Sequence, residues 1–321
     1  MKRNINRICL VLVILCLLTG SVLGAELLIP VGQVIGLDLS SGAVTVAAFD
    51  DAVCAARDAG VQIGDRILAV DGREVCCAAD VRNALAMSDG TVELLLEREG
   101  SSRKVRLEPE ISEDGPCLGL HLRQGITGIG TVTFYDPETR TFGTLGHGVN
   151  DGKNVLLSMT GGNAYPAQVV SIRKGRAGQP GQLKGALDSG TPIGLLSRNT
   201  ARGVFGISSR SWSGQAIPTQ SWEQVRTGKA LIRSTLDEGG PRDYSVEILK
   251  IYPKNREDGR NLLLRVTDPA LLHATGGIVQ GMSGSPIIQD GKLVGAVTHV
   301  LVNDPTRGYG IFIENMLEAA S

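Results

Sequence analysis

Ser283 lies in a segment, GMSGSP at residues 281–286, whose residue types suit a nucleophile. A serine hydroxyl attacks a carbonyl carbon effectively when a base takes its proton and N–H groups receive the negative charge that forms on the oxygen. Gly281 leaves room for an approaching carbonyl group, and we expect the amides of Gly281 and Ser283 to converge on one point. A plain surface turn would tolerate the same composition, so the rest of the chain must supply the base and the acid.

Four histidines are the candidates for the base. His147 follows the strand-like run TFGTLG and is flanked by two glycines, which suits a side chain held at a strand end beside a cleft. His121 lies in an alternating run that is typical of a half-exposed strand, and His273 lies in a short helix or turn. His299 lies on the strand after the serine loop, where we expect it to line a substrate cleft. The pattern therefore predicts His147 as the base.

The acid that would orient this base is less well defined by the sequence. Asp268 follows a strand-like run and precedes Pro269, which places it on a turn. Asp151, Asp188 and Asp304 are alternatives, and each of the four also suits the capping of a turn.

Strand-like runs of five to eight residues recur after residue 110, separated by Gly, Pro, Asn and Asp, which predicts an antiparallel barrel or sandwich. The nucleophile motif of α/β-hydrolases, G-x-S-x-G, is excluded because position 285 is Ser. G-x-S-G-x-P followed by a hairpin with Asp290 and Gly291 at its turn resembles the chymotrypsin-like barrels instead. The Gly-rich stretch 173–185 lacks the G-K-[S/T] ending of a phosphate loop, so we predict a solvated loop there.

The first half of the chain has a different pattern. The segment DAGVQIGDRILAVDGREV (58–75) predicts a turn, a short strand and a tight turn, and a helix and a hairpin follow it. This order resembles the core signature of PDZ domains, in which a peptide adds to a sheet edge beside a helix. The resemblance implies that Val34, Ile35, Gly36 and Leu37 form the loop that receives a peptide's C-terminal carboxylate.

The first 25 residues read as an export segment. Lys2, Arg3 and Arg7 precede an apolar run at residues 8–18, and small residues follow it. The apolar run is short for a spanning helix, although residues 8–23 leave an uncleaved membrane anchor open. Either alternative places the rest of the protein outside the cytoplasm.

Composition narrows the function classes. The formal charge is −1, with 32 basic and 33 acidic residues, so no overall field indicates a nucleic-acid partner. The four cysteines beyond the export segment have no zinc-ligand spacing. A disulfide from Cys54 to Cys76 or Cys77 and small buried side chains remain alternative readings.

The whole chain after the export segment is similar to the SpoIVB peptidase family, the stage IV sporulation protein B of endospore-forming bacteria. The similarity is carried by FGTLGHG, RKGRAGQPG and the long block from VTDPALLHATGG to the C-terminus. It implies a mainly β chain with an export or anchor segment (1–25), a PDZ-like αβ domain (26–110) and a chymotrypsin-like serine peptidase barrel (111–321). It assigns the catalytic triad to His147, Asp268 and Ser283.

In such a peptidase, the amides of Gly281 and Ser283 form the oxyanion hole, and Thr298, His299 and Val300 pair with the substrate backbone. No cofactor or metal is expected. The resemblance further implies location between the forespore and mother-cell membranes, self-cleavage, and cleavage of a membrane-bound regulator of an intramembrane metalloprotease that processes a late sigma factor. The PDZ-like domain is expected to bind peptide C-termini or the protein itself. Two alternatives remain: a catalytically inactive PDZ adaptor and a general extracytoplasmic quality-control protease.

Overall fold

A computed structural model describes residues 26–50, 54–113, 115–151, 154–188 and 190–321. The predicted export segment, residues 1–25, lies outside the described residues. Most of the described chain is β-strand, as the sequence predicts, and its helices are short. In these five ranges no helix combines the length and the apolar character needed to cross a membrane.

The C-terminal part is a closed antiparallel barrel in the order β16-β17-β18-β21-β20-β19, with β19 pairing back to β16. Alternation directs one side of each strand inward: in β18, Leu262, Leu264 and Val266 are buried in the barrel core. The strands are β16 (Gly228–Thr235), β17 (Pro241–Ile251), β18 (Leu262–Val266), β19 (Pro286–Gln289), β20 (Lys292–Leu301) and β21 (Asp304–Phe312). The predicted barrel is therefore confirmed for this part of the chain.

A larger sheet packs beside the barrel and supplies the second wall of the cleft. Its strands here are β1 (Leu27–Pro30), β2 (Val34–Phe49), β9 (Leu120–Tyr135), β10 (Thr141–Thr144), β11 (Gly161–Arg173), β12 (Gln182–Leu187), β13 (Gly194–Thr200), β14 (Gly203–Ser208) and β15 (Ile217–Pro218). A shared apolar cluster joins sheet and barrel, with Phe134 and Phe205 from the sheet and Leu293 and Ile311 from the barrel. This packing fixes the two sides of the cleft relative to each other.

The αβ unit grows out of the same sheet, because β2 and β9 are 16 residues long and continue into it as a pair, from Val34 opposite Thr131 to Phe49 opposite Leu120. It has its own apolar core. Its elements are α1 (Ala55–Asp58), β3 (Arg66–Val70), β4 (Arg73–Glu74), α2 (Ala78–Ala86), β5 (Val92–Arg98) and β6 (Ser101–Leu107), and the small hairpin β7 (Glu110–Ser112) and β8 (Gly115–Cys117) follows. A strand, a helix and a hairpin thus occur where the sequence predicts them.

The predicted carboxylate loop at Val34–Leu37 is wrong. Residues 34–37 lie inside β2, which pairs with β9 on one edge and with β11 on the other, so their backbone groups face two neighbouring strands. Val34, Ile35 and Leu37 are buried. The apolar-Gly-apolar pattern of a ligand loop is also that of a central strand, and the sequence alone did not separate the two.

The pairing also differs from the predicted boundaries at residues 26 and 110. The chain from Leu27 to Leu39 pairs with strands of the large sheet, whereas the start of β9, residues 120–123, pairs with the second half of β2 in the αβ unit. The αβ unit is therefore an insertion between the two long strands.

The remaining helices frame the barrel. α3 (Pro269–Thr275) starts at the N-cap Asp268 with a proline in its first turn and ends at Gly276, whose φ of +77° is a left-handed cap conformation. α4 (Ile313–Ala320) closes the chain and packs against the shared cluster. A 3₁₀ turn, Trp222–Gln224, precedes the barrel.

Candidate active site

Ser283 lies in a tight loop pressed against the large sheet. Gly281 and Gly284 have φ values of +97° and +96°, which are unfavourable for residues with a side chain. A Cβ atom at Gly284 would lie 2.6 Å from the amide nitrogen of Leu145. Glycine at 284 therefore lets the serine loop approach the segment that carries His147.

The same loop has two unused amides that point to an oxyanion site. Its carbonyls are taken: Thr131 Oγ1 donates to Gly281 O (2.8 Å), Thr131 N donates to Ser283 O (3.0 Å), and Thr133 Oγ1 donates to Gly284 O (2.8 Å). Within the residues that the structure describes, the N–H groups of Gly281 and Ser283 donate no hydrogen bond. Free amides on a rigidly held loop are what stabilisation of an oxyanion requires.

The hydroxyl of Ser283 donates to the carbonyl oxygen of Thr298 at 2.8 Å. Thr298 belongs to β20, which pairs with β19 only as far as Ala296 and with β21 up to Leu301. From Thr298 to Leu301 the other edge of β20 is thus open within the described chain. An open edge beside a nucleophile is a place where an extended peptide can add as a strand.

His147 faces this strand from the large sheet. It follows Leu145 and Gly146, both with φ near +69° (+69° and +68°). A Cβ atom at Gly146 would lie 2.9 Å from Thr298 Cγ2, so the turn before His147 lies directly on β20. Segments 145–147, 281–284 and 298–299 therefore meet at one crevice.

The tautomer of His147 follows from its hydrogen bond. Nδ1 lies 2.9 Å from the carbonyl oxygen of Gly148, and because a carbonyl oxygen can only accept, Nδ1 must carry the proton. In the neutral ring Nε2 then has a free lone pair. Burial lowers the pKa of His147 below its ordinary value of 6.5, although the bond to Gly148 opposes this shift. The free lone pair on Nε2 and the neutral state of the ring suit a general base.

His299 packs against His147, with the ring centroids 5.2 Å apart and the rings tilted by 42°. Burial, with the nearby His147 and Arg260, lowers the pKa of His299 to about 4, while Asp258 acts in the opposite direction. His299 Nδ1 is buried and has no hydrogen-bond partner among the residues that the structure describes. The ring is therefore neutral at neutral pH and forms an uncharged wall of the crevice.

Asn199 is a positioning residue that the sequence reasoning missed. Its Oδ1 accepts from Val149 N (2.9 Å), and its Nδ2 donates to Val149 O (2.8 Å) and Leu157 O (2.9 Å). These three bonds fix the loop that follows His147. An Asn at the end of a strand is a weak signal in the sequence, and only the folded loop shows its use.

Asp268 is placed away from His147. Its Oδ1 accepts from Ala270 N (2.9 Å) and Leu271 N (3.1 Å), and its Oδ2 accepts from Ser245 N (3.2 Å). His299 pairs with Tyr309, which pairs with Leu263. Asp268 is five residues beyond Leu263 in the chain, which corresponds to roughly 16 Å at the rise of a β-strand. These contacts give the carboxylate a helix-capping role. None of them reaches His147, which the orienting role implied by the family resemblance requires.

The other candidates make local contacts. Asp188 and Asp151 each accept a backbone N–H within their own loops, and Asp304 accepts from Thr306 and forms an ion pair with Arg307. His121 Nε2 lies 2.6 Å from Asp50 Oδ1, and His273 lies in the last turn of α3. The described residues contain no cluster of three or more metal-ligating side chains.

A second concave surface lies in the αβ unit, between α2 and the start of β9. Residues 120–123 of β9 pair with β2 on one edge only. The groove is lined by Ala78, Val81 and Leu85 from α2 and by residues 116–118 and 120–122. The segment CLG (117–119) directly precedes its open strand, which begins at Leu120.

Within the described ranges no disulfide joins any pair of the four cysteines, which are Cys54, Cys76, Cys77 and Cys117. Cys54 is buried and its thiol contacts the carbonyl oxygens of Leu118 (3.4 Å) and Gly119 (3.3 Å) beneath the groove. Cys77 caps the N-terminus of α2. For Cys54, the reading as a small buried side chain fits this arrangement.

A family model described as SpoIVB peptidase S55 matches residues 116–317 of the 321. The matched range contains the barrel, most of the large sheet, and the residues of the crevice.

Curated relatives match over shorter stretches. The chain is 38% identical over 78 residues to a protein named as a zinc metalloprotease from Agrobacterium fabrum, and 34% identical over 87 residues to one so named from Rhizobium meliloti. These stretches are 24% and 27% of this chain, and only 21% and 23% of the relatives' length. The chain thus spans about a fifth of these relatives.

Among solved structures, the inactive form of the Rv3671c protease is similar over 60% of this chain and 82% of that one, with 13% identity and a TM-score of 0.34. A likeness at that TM-score carries no argument about this chain.

Proposed function

The chain belongs to the SpoIVB peptidase family, and from that premise we propose that it is an exported serine endopeptidase of sporulation signalling. The observation that carries the chemical part is the crevice itself. Ser283 stands beside two unused amides, and the loop that carries it is packed against the loop that carries a neutral, Nδ1-protonated His147.

The proposed reaction is peptide-bond hydrolysis through an acyl-enzyme. Nε2 of His147 takes the proton as Ser283 Oγ attacks the carbonyl carbon, and the amides of Gly281 and Ser283 receive the oxyanion. The C–N bond then breaks while the imidazolium gives its proton to the leaving amine. A water molecule, deprotonated by His147, then attacks the ester carbonyl carbon. The bond from that carbon to Ser283 Oγ breaks, the imidazolium returns its proton to Oγ, and the acid is released.

The carbonyl of Gly148, rather than a carboxylate, supports the base in this arrangement. It holds Nδ1–H and so fixes the tautomer, which is one task of the aspartate in other serine peptidases. It offers less stabilisation of the imidazolium than a carboxylate would, because it carries no net charge.

Thr298, His299 and Val300 are the proposed substrate strand. The open edge of β20 at these residues supports the assignment, and the side chain of His299 lies on the face that also carries His147. The predicted groove for peptide C-termini, or for another copy of the protein, is reassigned to α2 and residues 117–122.

The biological part of the proposal rests on family resemblance. The substrate is the extracytoplasmic part of a membrane-bound regulator, whose cleavage releases an intramembrane metalloprotease that processes a late sigma factor. The protein acts between the forespore and mother-cell membranes and cleaves itself near its N-terminus. Two alternative functions remain. A general quality-control protease would hydrolyse peptide bonds in the same way but without selectivity for the regulator, and an inactive PDZ adaptor would hydrolyse none.

The test compares purified wild type with Ser283→Ala, incubated alone, with unfolded casein, and with regulator fragments. We expect wild type to shorten itself and to cut the regulator fragment at one or few sites, as read by N-terminal sequencing, whereas Ser283→Ala stays full length and cuts nothing. Broad digestion of casein would favour quality control. Equal cleavage by both proteins would overturn the assignment of Ser283.

A further inference from the structure

A basic loop, residues 173–181, borders the crevice and has no part in the chemistry proposed above. Arg173, Lys174 and Arg176 fall within four positions, and none of them forms an ion pair in the part of the chain that the structure describes. They line a shallow hollow with Gly178, Gln179 and Pro180, and no carboxylate lines it. The hollow is thus a concentration of unneutralised positive charge.

Backbone hydrogen bonds fix this loop to the segments around the nucleophile. Gly175 N donates to Thr275 O (2.8 Å), Gly178 N to Val302 O (2.9 Å), and Gln280 N to Gly181 O (3.0 Å). Gln280 is three residues before Ser283, and Val302 directly follows the end of β20. The charges are therefore held at one end of the proposed substrate strand rather than on a free loop.

The direction of a bound peptide follows from strand pairing. All neighbouring strands of the barrel are antiparallel, and a peptide added antiparallel to β20 runs towards its own N-terminus as β20 runs from Thr298 to Leu301. The bond to be cut lies at Ser283, beside Thr298. Peptide residues that reach Val302 and the basic loop must then lie several positions before that bond.

We propose that the basic loop binds an acidic segment of the peptide substrate on the N-terminal side of the cleaved bond. The inference rests on the proposed function, since it takes β20 as the substrate strand. Three like charges within four positions repel one another, and carboxylates in the substrate relieve that repulsion while gaining attraction of their own. The loop thus selects substrates by charge and acts mainly on binding rather than on the chemical step.

The test uses two fluorogenic peptides built on the cleavage site read from the self-processing fragments. They are identical except at the fourth to sixth residues before the cut, which are three Glu in one and three Gln in the other. The triple variant Arg173→Gln, Lys174→Gln, Arg176→Gln is compared with wild type. Its matched control, Arg73→Gln, Arg140→Gln, Lys229→Gln, removes the same charge at exposed positions elsewhere.

Wild type and control should cleave the Glu peptide with a kcat/KM about tenfold above that of the Gln peptide, chiefly through KM, as up to ~1 kcal/mol per exposed pair allows. The loop variant should lose that ratio, and 0.5 M NaCl should reduce it in wild type. An unchanged ratio in the loop variant overturns the proposal. Sedimentation with phosphatidylglycerol vesicles is measured for the same two proteins. If the loop variant keeps the Glu-to-Gln ratio of kcat/KM but no longer sediments with the vesicles, the proposal is overturned and the loop is a membrane contact instead. Failure of wild type to cleave either peptide would instead reject the peptidase function itself.

Discussion

Ser283 and Thr298 are joined by a 2.8 Å hydrogen bond from the serine hydroxyl to the threonine carbonyl. The acceptor belongs to the strand edge at which a substrate is proposed to bind. In the proposed mechanism, a peptide N–H that takes Thr298 O as its acceptor displaces the hydroxyl and leaves it free to turn to His147. Without substrate, the hydroxyl of Ser283 thus occupies the carbonyl oxygen that the substrate backbone is proposed to use.

The depressed pKa of His147 predicts activity on the acid side of neutrality. A general base works when it is neutral, and burial keeps His147 neutral at pH values below its ordinary 6.5. His299, which faces it, is also neutral there, with a pKa of about 4. We expect the acid limb of kcat/KM against pH to have its midpoint below 6.5. A midpoint at or above 7 would contradict the buried, uncharged environment of this ring.

Asp268→Asn separates capping from catalysis. Asparagine is as good an N-cap as aspartate, so α3 should persist, with a small loss at the Ser245 contact, while Asp268→Ala should cost about 1 kcal/mol of unfolding free energy. Because Asp268 lies far along the strand from the crevice, we expect Asp268→Asn to keep kcat within a few-fold. A loss of 10²-fold or more with an unchanged melting temperature would instead support the triad role implied by the family.

Asn199→Ala should impair turnover without touching the substrate. The change removes three hydrogen bonds to the loop behind His147, at about 1 kcal/mol each. We expect a fall in kcat larger than the change in KM, together with a lower melting temperature. Ser197→Ala, on the same strand with one long hydrogen bond to Phe205 O, is the control and should change neither. A change in KM alone would mean that Asn199 does not position the base.

The groove beside α2 should bind peptides that end in a free carboxylate. Ala78→Trp places a large side chain in the groove, whereas Met87→Trp places one just beyond α2 at an exposed position outside it. We expect Ala78→Trp, but not Met87→Trp, to weaken binding of a C-terminal peptide about tenfold or more, a loss of about 1.4 kcal/mol. Calorimetry with the free-acid and amidated peptides measures it. Equal binding by both variants would place the peptide elsewhere.

Local patterns carry much of this fold. The hairpin that ends in Asp290 and Gly291, the alternating strand at Leu262–Val266 and the helix at Ala78–Ala86 are each specified by short-range periodicity and turn residues, and each forms where the sequence predicts it. The serine loop is likewise recognisable from its glycines, Gly281 and Gly284, and the structure shows that both have positive φ values.

Long-range pairing is what the sequence could not supply. Val34–Leu37 has the composition of a ligand loop but is a strand flanked on both edges, and only the partners β9 and β11 reveal that. The contact of Asp268 with Ser245 N joins residues 23 positions apart, and the role of Asn199 depends on a loop some 50 residues away in the chain. Such relations arise from tertiary packing, on which sequence spacing has no direct bearing.

The central claim, that Ser283 is a nucleophile served by His147, is tested most directly by covalent labelling with a fluorophosphonate probe and mass spectrometry of the labelled peptide. We predict labelling of wild type at Ser283, none at that site in Ser283→Ala, and a rate reduced by at least 10²-fold in His147→Gln. Ser285→Ala should label like wild type, because the buried hydroxyl of Ser285 makes no hydrogen bond within the described part of the chain. Failure of the folded wild type to label at Ser283, or labelling at an unchanged rate in His147→Gln, would contradict the account.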